Sequence, residues 1–139
     1  MKTTVDRVQG RIPVTVLRVD GDLDASTFES LIDEGRRLYG EGDRDLLIDL
    51  RSVPFMGSSG LVALHSLVLI FNGSEPPDPE SGWGAHHAME ASIESGLQPH
   101  VKVLLPDAPD SSLRRVMERT GMDRFIDVRT DEADAIAAF

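Results

Sequence analysis

Leu46-Leu47-Ile48-Asp49-Leu50 is a short, nearly continuous apolar run, held between Asp45 and Arg51. A run this brief reads as a strand, and one without polar alternation is covered on both faces. Such a strand belongs inside a parallel or mixed sheet with helices packed on it. The 139 residues suffice for one domain with its own core. Aromatics are only 5% of the chain, so that core must come from Leu, Val, Ile, Ala and Met.

The flanking segments supply the other elements. Pro13–Val19 is β-branched and reads as a strand, with Thr3–Val8 a weaker strand before it and Gln9-Gly10-Arg11 as the turn. Asp20-Gly21-Asp22 is turn chemistry. Ser26 and Glu29 have the spacing of a capping box, and Phe28, Leu31, Ile32, Leu38 and Tyr39 define one helical face, ended by Gly40 and Gly42. A second helix, Ser58–Phe71, is apolar nearly all round and is therefore buried or faces a partner. Val101–Leu105 reads as a strand. Asp110 or Ser111 caps a helix bearing Leu113, Val116 and Met117, stopped by Gly121. Phe125–Val128 reads as a last strand, and Thr130 as the cap of a final helix through Ala138. The order β-β-α-β-α-β-α-β-α predicts an α/β domain with a mixed, largely parallel sheet.

Residues 72–100 break this rhythm. They open on Asn72-Gly73-Ser74-Glu75-Pro76-Pro77-Asp78-Pro79 and hold one short helical pattern within Gly84–Leu97, with Ala88, Met89, Ser92 and Ile93 on one side. The stretch reads as an insertion between the second helix and the next strand. Replacing Gly73–Gln98 by a short linker is expected to leave a folded domain, unless Trp83, Met89, Ile93 and Leu97 cover the apolar strip on Leu61–Phe71.

Composition narrows function. There is no cysteine, which excludes a disulfide scaffold, a Cys-ligated metal and thiol catalysis. The net charge is −10, and no Lys or Arg lies between Arg51 and Lys102, so neither nucleic acid nor an anionic membrane is an expected partner. No leader or spanning segment is visible, and a cytoplasmic location is expected. His86 and His87 with Glu90 and Glu94 could share a helix face, but an acidic, Pro-flanked segment reads as a solvated helix, and no metal site is expected. Asp22, Asp24 and Asp49 lack a nucleophile or oxyanion partner, so no enzyme is expected and no cofactor either. Ser58 stands at a helix start, where unpaired N–H groups and the helix dipole favour an anion. Without further context Ser58 or Ser59 reads as a helix cap.

Three segments carry a resemblance. Asp45–Leu61, with Ile48-Asp49-Leu50 leading to Phe55-Met56-Gly57-Ser58-Ser59-Gly60-Leu61, resembles the signature of the STAS family (sulfate transporter and anti-sigma factor antagonist). Val19-Asp20-Gly21-Asp22-Leu23-Asp24 resembles the family's turn before its first helix, and Leu113–Phe125 its last helix and turn. The resemblance covers residues 4–71 and 101–139 and implies a STAS-like mixed β-sheet with helices mainly on one face. It further implies an anti-sigma factor antagonist that binds an anti-sigma factor serine kinase, is phosphorylated at Ser58 (Ser59 being the alternative) and is reset by a serine phosphatase. The partner face would comprise Asp22, Asp24, Gly57, Ser58, Ser59, Gly60 and Leu61, on a monomer or weak dimer. Gly57 replaces the family's Asp before that Ser. Loss of this carboxylate favours the alternative, a non-phosphorylated STAS interaction subunit of a signalling or transporter-accessory complex.

Overall fold

The computed structural model describes residues 1–76 and 83–139, and of residues 83–86 and 90 the backbone only. The elements run β1 (Lys2–Gln9), β2 (Pro13–Asp20), α1 (Phe28–Gly40), β3 (Leu46–Ser52), α2 (Ser58–Phe71), α3 (Trp83–Ile93), β4 (Val101–Leu104), α4 (Ser112–Thr120), a 3-10 turn at Met122–Arg124, β5 (Asp127–Arg129) and α5 (Glu132–Ala137). The sheet has five strands in the order β1-β2-β3-β4-β5. β1 pairs antiparallel with β2, and all later pairs are parallel. The central place of β3 is the one its apolar run requires.

Alternation along the strands separates two layers. Leu17 and Val19 of β2, Leu46, Ile48 and Leu50 of β3, and Val101 and Val103 of β4 face a large core closed by α1, α2, α3 and α4. The opposite residues Val14, Val16, Leu47 and Leu104 meet Ala135 of α5 in a smaller cluster. Helices thus cover mainly one face.

α2 is the spine of the larger core. Leu61–Val68, Ile70 and Phe71 are buried and Leu69 is half-buried, because the sheet, α1 and α3 each take one side of the helix. α1 comes close through Gly35, where a Cβ would fall 1.9 Å from Leu67 Cδ2. The Tyr39 ring meets Phe71 edge-on at 5.5 Å.

The residues after α2 meet, in part, the condition under which their removal is not expected to be neutral. Met89 is buried in the main core and Ile93 packs against it. His65, itself buried, shares a 2.8 Å hydrogen bond through Nε2 with Ser92 Oγ. Gln98 N–H donates to Phe125 O at 3.0 Å, tying the segment to the far end of the sheet. The helix spans Trp83–Ile93, and Leu97 is 57% exposed rather than part of the cover. The Trp83 side chain lies outside the described residues.

Smaller differences are local. α1 starts at Phe28 with Thr27 at the N-cap, and Ser26 makes no capping box. The Ser26 hydroxyl is spent within the turn, donating to Asp24 Oδ1 at 2.6 Å. β5 is Asp127–Arg129 rather than Phe125–Val128, because Phe125 and Ile126 leave the 3-10 turn as buried core residues. α5 is capped at Asp131, not Thr130.

The α2–α3 contact is testable in two ways. Met89→Ala is expected to cost about 2–3 kcal/mol in urea unfolding, and an unchanged midpoint would return α3 to the status of a dispensable appendage. Burial lowers the His65 pKa to about 4. The folded chain therefore keeps this ring neutral while the unfolded chain protonates it below about pH 6.5. Stability is lost as pH falls from about 6.5 towards 4, by on the order of 3 kcal/mol. His65→Leu should lack this part of the loss, so its unfolding midpoint gains on that of the wild type between pH 7 and pH 5.

Candidate functional site

β2 and β3 run parallel, so the loops that leave them emerge from the same end of the sheet and stay paired. Gly21 N–H donates to Ser52 O at 3.2 Å, Leu23 N–H to Phe55 O at 3.0 Å, and Gly57 N–H to Leu23 O at 3.1 Å. Leu23 and Met56 form an isolated parallel bridge, and both side chains are buried. They rest on the first turn of α2 at Gly60, where a Cβ would lie 2.3 Å from Met56 Cγ and 3.2 Å from Leu23 Cγ. Only glycine lets both loops settle on the helix start.

With Met56 turned inward, Phe55 turns out and is 54% exposed. It is a surface residue that the residue pattern does not place in the site. Its neighbours Pro54 and Met56 are as non-polar as Phe55, so the orientation shows only once the Leu23–Met56 bridge is known.

Gly57 is the N-cap of α2, with extended backbone at φ −86° and ψ −176° that any residue adopts. A Cβ there would meet only the Phe55 ring, at an ordinary 3.6 Å. No side chain caps α2, and its first turn holds no acid. An aspartate would therefore fit at position 57, and glycine is not a steric requirement.

The residues expected at the partner face divide by burial. Asp22 and Ser58 are exposed; Asp24, Gly57 and Ser59 are half-buried; Gly60 and Leu61 are buried beneath the loop. Asp24 organises the turn into α1. Its Oδ1 accepts from the Ser26 hydroxyl and, at 2.9 Å, from Ser26 N–H, and these bonds hold the carboxyl below its usual range. Thr27 Oγ1 donates to Asp22 O at 2.9 Å, bracing the same turn. Asp49 does not join these acids. Burial works to raise its pKa, but hydrogen bonds from Arg51 and Arg18 outweigh burial and leave it lowered.

Among the described residues, no group of three or more His, Cys, Asp or Glu is placed to hold a metal ion. The side chains of His86 and Glu90 lie outside the described residues. No helix among the described residues is long and apolar enough to cross a membrane.

Residues 4–72, which hold β1 through α2 and therefore both loops, match the model of the STAS domain. The chain carries a STAS domain. Its fold is shared with an anti-sigma factor antagonist from Mycobacterium paratuberculosis, 23% identical with a TM-score of 0.67, over 99% of this chain and 92% of that one. It is also shared with a candidate anti-sigma factor antagonist from Thermotoga maritima, 13% identical with a TM-score of 0.66, over 96% of this chain and 91% of that one. Likeness in fold thus extends past residue 72 through α3, β4, α4, β5 and α5. No curated protein matches the sequence.

The contrast between two glycines of this STAS loop is testable. Gly60→Ala must displace Met56 and is expected to cost about 1–3 kcal/mol. Gly57→Asp supplies the missing cap and should leave stability unchanged or raise it by a few tenths of a kcal/mol. Thermal unfolding of both variants decides; equal losses would mean that the loop has no such tight contact at Gly60.

Proposed function

We propose that the chain acts as an anti-sigma factor antagonist-like STAS protein. It binds an anti-sigma factor that is a serine kinase, and phosphorylation of Ser58 switches that binding off until a serine phosphatase restores it. The observation that carries this reading is the exposure of Ser58, as the first residue of α2, on a loop braced by the Leu23–Met56 bridge and next to outward-facing Phe55. Ser59 is half-buried and is the weaker acceptor. Phe55 supplies the apolar contact that a partner would cover.

The chemistry is a transfer of the ATP γ-phosphoryl group to Ser58 Oγ, with ADP leaving and the hydroxyl proton passing to the kinase. The product places about −1.5 to −2 charges at the head of α2. The helix N-terminus tolerates that anion locally. A partner closing over it must desolvate it.

In calorimetric titration against an anti-sigma factor kinase, Ser58→Ala should bind as wild type, and Ser58→Asp at least about tenfold more weakly. Phe55→Ala should also weaken binding. Mass spectrometry after incubation with kinase and Mg-ATP should map the phosphate to Ser58. Equal affinities of wild type, Ser58→Ala and Ser58→Asp would remove the switch.

Gly57 favours a second reading, in which the chain is a STAS interaction subunit that is never phosphorylated. A kinase that reads the missing carboxylate would phosphorylate Gly57→Asp but not the wild type. Robust phosphorylation of the wild type eliminates this alternative.

A further inference from the structure

β2 and β3 pair in register through Leu17↔Ile48 and Arg18↔Asp49, and pairing resumes at Asp20↔Ser52. Val19 is therefore opposed by two residues, Leu50 and Arg51. This is a bulge at the end of β3, directly before the chain enters the Ser58 loop. A bulge bends its strand, re-aims the chain beyond it and frees a backbone N–H from the ladder.

The freed groups are gathered on the α5 side of the sheet. Arg51 N–H donates to Asp49 Oδ1 at 3.0 Å, and the Arg51 guanidinium grips both Asp49 oxygens, each at 3.0 Å. From the neighbouring strand, Arg18 Nη1 reaches Asp49 Oδ2 at 3.0 Å. Glu132, the first residue of α5, closes the circuit: its Oε1 accepts from Arg18 Nη1 at 2.5 Å and from Arg51 Nη2 at 3.0 Å. A further bond runs from Arg18 Nη2 to Glu132 Oε2 at 3.3 Å, and Arg18 Nε holds Asp6 of β1 at 2.8 Å. Two guanidinium groups would repel each other over the bulge, and the Asp49 and Glu132 carboxylates stand between them. Charge-assisted bonds of this kind are stronger and more directional than neutral ones.

We infer that Glu132 is a positioning residue for the Ser58 loop: by closing the ring Asp49–Arg18–Glu132–Arg51 over the β3 bulge, it fixes the direction in which β3 delivers residues 53–58. Without the Glu132 charge, Arg51 keeps only Asp49, and its partly exposed guanidinium is free to swing towards solvent. The bulge then loses its tie to α5, and its remaining side-chain link to β2 is the Arg18–Asp49 bond. Val53 N–H turns back onto Leu50 O at 3.0 Å, and the bonds that join this stretch to the neighbouring loop are those from Gly21, Leu23 and Gly57, so these cross-loop bonds register the change.

The inference rests on the Ser58 loop being the site. Its readout is backbone exchange rather than binding, so its failure is distinguishable from failure of the phosphorylation switch. Native-state amide hydrogen exchange is measured by NMR on the full chain as wild type, Glu132→Gln and Asp6→Asn. Glu132→Gln should speed exchange at Gly21, Leu23 and Gly57 about fivefold or more relative to the amides of Leu46–Leu50. Asp6→Asn removes a carboxylate from Arg18 without touching Arg51 and should leave the three loop amides at wild-type protection. Loop and β3 amides that accelerate in step would make Glu132 a general stabiliser and overturn the inference. Loss of the loop bonds in Asp6→Asn, or of cooperative unfolding in Glu132→Gln, would overturn it equally.

Discussion

The Ser58 loop depends on one contact, the packing of Leu23 and Met56 on the bare backbone of Gly60. Two loops that would otherwise be independent become a single ledge, because each donates to the other and both press on the same helix turn. The inward turn of Met56 sends Phe55 outward, and the helix that starts beneath it presents Ser58 at the surface. Apolar burial and a missing Cβ therefore determine where the polar groups stand.

The two faces of the sheet are held by different forces. On one, α1, α2, α3 and α4 bury aliphatic side chains, and α2 tolerates an apolar circumference because no side of it is left to water. On the other, α5 is short and contributes little apolar cover, so ion pairs complete the layer. Lys102 and Arg129 hold Asp127, and Arg129 also holds Asp134 of α5. Hydrophobic burial is non-directional and tolerates small shifts of the helices. The ionic face is directional and is correspondingly suited to fixing the angle of a strand end.

Much of the fold is legible in residue order, for physical reasons that are local. Leu46–Leu50 announces a doubly covered strand, and the circumference of Leu61–Phe71 announces a helix enclosed on all sides. Both signals depend on burial, which composition records directly. The start of α1 is less legible. Ser26 and Glu29 have the spacing of a capping box, but Asp24, two residues earlier, takes the Ser26 hydroxyl first. The Ser58 segment stands out by its motif, whereas Phe55 does not, because its orientation depends on a bridge to Leu23 across the sheet end. The role of residues 83–98 is half legible: the apolar residues that could cover α2 stand out, but whether they do so does not. A Pro-rich, acidic lead-in resembles solvent-exposed chain, and the contacts of Met89, Ser92 and Gln98 decide for the cover.

The ring over the β3 bulge joins residues far apart in the chain: Glu132 is 114 positions from Arg18 and 81 from Arg51. Synthesis proceeds from the N-terminus, so a nascent chain possesses β1, β2, β3 and the whole Ser58 loop well before it possesses the carboxylate that clamps them. Without Glu132, Asp49 is the one carboxylate that Arg18 and Arg51 share. Contacts of such long separation also close late in refolding from denaturant, because the intervening chain must be ordered before they form.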